Sequence, residues 1–79
     1  MMRLSDIKAG EKVWIISVGG EAELRRRLFD MGLIPGTAVT VSGFAPLGNP
    51  MEITVRGYRL TLRLEDAHGI EVAGSRQHG

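Results

Sequence analysis

Arg27-Leu28-Phe29-Asp30-Met31-Gly32-Leu33-Ile34-Pro35-Gly36 is the stretch on which the reading of the fold turns. It ends a helix and launches a strand. Leu24, Leu28 and Met31 fall at i, i+4 and i+7, so the segment Glu21 to Met31 carries one apolar face at helical spacing. Glu21 and Glu23 occupy the first turn, where carboxylates favour the positive end of the helix dipole. Gly32 is placed as the C′ residue in a left-handed conformation, with Leu33 as C″ folding back toward Leu28, as a Schellman motif requires. Pro35-Gly36 then reads as a type II turn, proline presetting the first angle and glycine taking the positive φ.

Upstream, Leu4 and Ile7 are spaced to pin one helical turn onto a core. Lys12 to Val18 reads as a strand rich in β-branched residues, set off from the helix by Gly19-Gly20. Val13 and Ile15 point one way and Trp14, Ile16 and Val18 the other, which predicts burial of both faces, the second beneath the helix. Downstream, Thr37 to Phe44 alternates at Val39 and Val41 until Gly43 interrupts and puts Phe44 out of phase, the pattern of a β-bulge. Met51, Ile53 and Val55 make one face of a third strand. Tyr58, Leu60 and Leu62 make one face of a fourth, and Arg56-Gly57 between them is a hairpin turn. Leu64 to Gly69 reads as a short turn, and Ile70 and Val72 close the set as a fifth strand. Five short antiparallel strands with a helix inserted after the first predict an all-β fold with one helix, a small, partly open barrel that limits exposed sheet edges. The expected domain is 1–72, with 73–79 a loose tail that carries no apolar pattern.

Seventy-nine residues make one domain with a thin core, leaving little room for a deep cleft. There is no cysteine, so neither disulfide nor thiolate–metal staple holds it together, and that composition fits the cytosol. The longest aliphatic and aromatic run, Val13 to Ile16, is far short of the roughly 20 residues a membrane span needs. A net charge of +1 lacks the basic excess of a nucleic-acid binder. No phosphate loop is present, since Gly19-Gly20 lacks its spacing and lysine. No serine has a histidine and acid arranged beside it. These readings predict a non-enzymatic binding module with no cofactor.

The segment 27–36 resembles the FeoA family, whose pattern is Arg-Leu, two residues, Met-Gly-Leu, one residue, Pro-Gly. The resemblance continues through Ala45-Pro46-Leu47-Gly48-Asn49-Pro50 and Tyr58-Arg59-Leu60-Thr61-Leu62-Arg63, and ends at Ala67 and Ile70-Glu71-Val72. Asn49 stands where the family usually has aspartate, and Thr61 where alanine is common. The resemblance implies an SH3-like β-barrel of cytoplasmic location. It implies one partner, the GTPase-coupled ferrous iron permease FeoB, met through its cytoplasmic GTP-binding region, with membrane association only through that partner. The same unit closes some metal-dependent repressors, so the alternative is a free-standing metal-binding or metal-sensing domain.

Each candidate site has a structural counterpart. Leu28, Met31, Gly32, Leu33, Pro35 and Gly36 are explicable as helix stop and turn. Arg25, Arg26 and Arg27 form a basic run, yet Glu21, Glu23 and Asp30 lie four residues from one or another of them, which predicts an internally paired helix face. Glu65, Asp66 and His68 bunch in one turn and make an incomplete metal shell, with His78 distant in the tail. The four aromatic residues Trp14, Phe29, Phe44 and Tyr58 are expected in the core, which disfavours an aromatic groove for polyproline ligands. By elimination the partner surface is expected at Pro46, Leu47, Gly48, Asn49 and Pro50, with Arg63 at its rim. Leu47 is required by no strand alternation; it either meets a partner from the tip of a proline-fenced loop or tucks beneath it.

Overall fold

The computed structural model describes residues 2–75. Its elements run β1 (Met2–Arg3), a 3₁₀ turn (Leu4–Asp6), β2 (Lys12–Val18), α1 (Ala22–Asp30), β3 (Ala38–Phe44), β4 (Met51–Val55), β5 (Tyr58–Leu62), α2 (Leu64–Ala67) and β6 (Ile70–Ala73). The strands form one antiparallel sheet in the order β1-β6-β2-β3-β4-β5. β3, β4 and β5 form a meander through short connections, β2 pairs with β3 across the insertion 19–37 that holds α1, and β6 returns to the far side of β2. This is the small, partly open barrel expected, with one strand more. β1 is too short to show periodicity; only its pairing with β6, Met2↔Val72 and Arg3↔Glu71, makes it a strand. Ala73 belongs to β6, so the ordered pairing reaches one residue into the segment read as tail, and Arg76–Gly79 lie outside the described residues. The segment 64–69 holds a helical turn, α2, that buries Ala67.

Two irregularities aim the side chains. In β3 the register slips between Val41 and Gly43, the bulge expected from the phase change. In β2 it slips between Ile15 and Ser17. The extra residue, Ile16, puts Val18 on the same buried side as Val13 and Ile15 and leaves Ile16 itself exposed. Burial on both faces of β2 is therefore not what the chain adopts. The alternation was broken by a bulge that carries no glycine to mark it, and the helix does not cover the outer face. Trp14 stays half-buried there, with the Lys12 ammonium 5.6 Å from its ring centroid.

The core joins Val13, Ile15, Val39, Val41, Met51, Ile53, Val55, Ile70 and Val72 from the strands to Leu4, Ile7, Leu28 and Leu33 from the connections. The expected turn at Leu4 and Ile7 is present and both residues are buried. α1 contributes Leu28, while Leu24 and Met31 pack partly buried against the same cluster. Its end is a complete Schellman stop: Gly32 N–H donates to Phe29 O at 2.9 Å and Leu33 N–H to Leu28 O at 3.0 Å, with Gly32 at φ +92°. The chain then turns through Ile34-Pro35-Gly36-Thr37, closed by Thr37 N–H to Ile34 O at 3.1 Å with Gly36 at φ +91°. The Tyr58 hydroxyl donates to Met31 O at the helix end, and a Cβ on Gly32 would stand 2.8 Å from that hydroxyl oxygen.

Leu28→Ala is expected to cost about 2–5 kcal/mol of stability in a chemical melt, because a core this thin cannot collapse onto the lost volume; an unchanged midpoint would remove Leu28 from its place as anchor. Gly32→Ala is expected to cost at least about 1 kcal/mol from the positive φ alone. In a Tyr58→Phe background the same substitution should cost less, since the hydroxyl that meets the new Cβ is gone; equal costs in both backgrounds would show that the contact is harmless.

Candidate functional site

The surface differs from the sequence expectation in two respects. Phe29, Phe44 and Tyr58 are each about 40% exposed and do not join the core. Their strand or helix positions point outward, which composition alone does not reveal. The helix arginines are not paired with their acids either. Among the described residues the ion pair formed is Arg59–Glu52 at 3.7 Å, on exposed side chains. Arg25 instead donates to Gly20 O at 3.1 Å, and Arg26 and Arg27 are exposed. A helix of nine residues offers i,i+4 partners, but long exposed side chains gain too little there to settle into one geometry.

The loop from Ala45 to Pro50 joins β3 to β4 and is held from three directions. Gly48 N–H donates to Ala45 O at 2.7 Å, Ala45 N–H donates to Pro50 O at 2.9 Å, and Leu64 N–H donates to Asn49 Oδ1 at 3.1 Å. The last bond satisfies an otherwise orphaned N–H at the start of α2. It asks only for an acceptor oxygen, so an amide serves at position 49 as a carboxylate would. From this anchored frame Leu47 projects with 96% of its surface exposed; it does not tuck beneath its loop. Pro46 and Pro50 are exposed on either side of it.

Beside the loop lies a shallow groove of about 320 Å³ lined by Arg27 and Leu28 of α1, Met31 just past its end, Pro50, Thr61 and Leu62 of β5, Arg63 and Asp66. A second hollow of about 210 Å³, lined by Phe44, Ala45, Pro50 and Thr61 among others, shares Pro50 and Thr61 with it. The structure thus brings Pro50 and Arg63 to one groove, puts Leu47 at the tip of the loop that supplies Pro50, and adds Arg27, read in the sequence as part of a paired helix face, Met31, read as part of the helix stop, and Thr61, which was not among the expected site residues. Arg27 and Thr61 are exposed positions on α1 and β5 and Met31 is a half-buried one at the helix end, and they become one surface only when the fold sets the helix beside the strand. Glu65, Asp66 and His68 do not assemble with other ligands: among the described residues no group of three or more His, Cys, Asp or Glu is placed to hold a metal ion. His78 lies outside the described residues. Among the described residues no helix is long and apolar enough to cross a membrane.

A family model described as the FeoA domain matches residues 2–74. The chain is 39% identical over 71 residues to the Fe(2+) transport protein A/Fe(2+) transporter FeoB fusion protein of Porphyromonas gingivalis; the match takes in 90% of this chain and only 8% of the fusion's length. Its fold is similar to the solution structure of the FeoA protein from Chlorobium tepidum, with a TM-score of 0.86 and 46% identity over 91% of this chain and 69% of that one. It is also similar to the zinc-complexed FeoA of Stenotrophomonas maltophilia, described as a prokaryotic SH3 domain protein, with a TM-score of 0.79 and 26% identity over 91% and 89% of the two chains. Motif, barrel and likeness agree: this SH3-like chain belongs to the FeoA family.

Proposed function

We propose that this protein is a non-enzymatic, cytoplasmic module that docks on the GTP-binding region of a FeoB-type ferrous iron permease and modulates its transport. The observation that carries the reading is the exposed Leu47 on a loop tied down by three hydrogen bonds. An apolar side chain that the fold leaves in water, on a backbone already ordered, meets the two requirements of an interface centre: area to bury and little entropy to lose. The partner's identity is supported by the relative from Porphyromonas gingivalis, whose name joins a transport protein A to a FeoB transporter in one chain. Fusion places two modules at high effective concentration, and the same encounter between separate chains needs a surface of its own.

The rival reading, a metal-binding or metal-sensing domain, draws on the zinc-complexed relative. It requires ligands that this chain's described residues do not group. Stoichiometric, tight uptake of Fe(II) or Zn(II) by the purified protein would favour it over docking.

Leu47→Asp is expected to leave the melting temperature within a few degrees of wild type. It should weaken capture of the purified FeoB cytoplasmic region at least tenfold, about 1.4 kcal/mol; undiminished capture would place the interface elsewhere. The protein alone should give no saturable heat on titration with GTP, and a binding isotherm would overturn its assignment as a module without a nucleotide site.

A further inference from the structure

β5 is the last strand of the sheet, with β4 on one side and, among the described residues, no strand on the other. The hairpin fixes which of its backbone groups are left over. Arg56 and Gly57 both have positive φ, +49° and +86°, so they form the two-residue turn that makes Val55↔Tyr58 a hydrogen-bonded pair. Antiparallel alternation then gives the ladder bonds to Ile53↔Leu60 and Met51↔Leu62. The N–H and C=O groups of Arg59 and Thr61 point away from β4, toward the open edge. Thr61 and Leu62 lie on opposite faces of the strand, yet both line the groove shared with α1, which therefore runs along this edge.

Charge decides what fits there. From Tyr58 to Arg63 the strand and its extension carry Arg59 and Arg63 and no acid. Both arginines and Thr61 project from the same face, because their spacing is even. A second copy of this chain pairing antiparallel about Thr61 would set Arg59 opposite Arg63, like charge against like, which is the usual device for keeping an edge from self-association. Arg27 adds a further guanidinium from α1; Asp66 is the one carboxylate among the groove residues. Arg59 is held by Glu52 only through an exposed contact at 3.7 Å, which a partner carboxylate in the ladder can replace.

The geometry points to β5 as the site where an extended, acidic segment of a partner protein adds as a further antiparallel strand, with carboxylates four residues apart meeting Arg59 and Arg63 and apolar side chains between them entering the groove over Met31 and Leu62. This deepens the docking reading and rests on it: the strand gives the module a second, directional contact that meets the Leu47 loop at Pro50. Main-chain bonds supply attraction for any sequence, and the alternating arginines select the acidic one.

The test uses the full chain and the capped pentapeptide acetyl-Glu-Val-Thr-Val-Glu-amide, with acetyl-Lys-Val-Thr-Val-Lys-amide as its counterpart. Amide NMR titration should show saturable shifts confined to Arg59–Arg63 and the facing residues of α1, with slowed hydrogen exchange at Arg59 and Thr61. The lysine peptide should bind at least tenfold more weakly. Arg63→Glu should reduce acidic-peptide affinity at least tenfold. Thr61→Pro removes an outward N–H at a place where an edge strand tolerates proline, and should abolish binding without loss of the folded spectrum; should that variant unfold, Arg63→Glu carries the test. The assignment is overturned by equal binding of the two peptides, by no binding at millimolar concentration, or by shifts centred away from β5. Concentration-dependent dimers that Thr61→Pro dissolves would also overturn it and make the occupant a second copy. Peptide binding intact with no capture of the FeoB region by wild type would sink the partner's identity and leave the edge standing.

Discussion

Between Leu28 and Thr37 the chain must stop a helix, reverse and enter a strand while keeping two leucines in the core, and the rest of the molecule depends on that manoeuvre. The bonds from Gly32 and Leu33 back to Phe29 and Leu28 end α1, and they require a residue at position 32 that accepts a positive φ. Leu33 then enters the core beside Leu28, both almost wholly buried. The turn that follows is tied at once to β2: Gly36 N–H donates to Ile15 O at 2.7 Å, and Ile15 N–H to Thr37 O at 2.9 Å. The position of the helix is thereby transmitted to the register of the central strands. Tyr58 reaches across from β5 to the carbonyl of Met31 and joins the helix end to the opposite edge of the sheet.

This arrangement explains how so small a barrel presents a defined surface. A thin core leaves little margin for a deep pocket, so recognition falls to what stands outside it. The outward features are positioned by devices that serve the core. The bulge in β3 turns Phe44 outward next to the loop, and the bulge in β2 returns Val18 to the interior while leaving Ile16 exposed. Asn49 caps the start of α2 and in doing so fixes the base of the loop that carries Leu47. A surface element built this way is already ordered, so a contact made through it would lose less of its energy to immobilisation.

Much of the fold was legible in the sequence because it depends on local chemistry. Pro35 fixes its own φ, Gly32 and Gly36 take the positive φ that other residues resist, the period of apolar residues separated helix from strands, and Gly43 marked its bulge by a change of phase. These are short-range constraints that hold wherever the segment sits, so the helix stop, the turns and the barrel of antiparallel strands follow from residues alone. Family membership was legible for the same reason, since its motif is largely the helix stop itself.

Other features were decided by tertiary structure. Met2–Arg3 becomes a strand only because β6 arrives beside it, and no two-residue segment can advertise that. The bulge at Ile16 has no glycine or proline to announce it and is imposed by pairing with β6. Side chains that look alike in sequence are separated by position: Leu28 is enclosed, Leu47 stands in water, and Phe29, one residue from Leu28, faces outward. Arg27, Thr61 and Arg63 line one groove only once α1 is set beside β5. The sequence alone determined how the chain turns, because turning is settled by the φ and ψ of a few residues; which surfaces remain open was decided by long-range packing, because exposure depends on what the rest of the chain brings alongside.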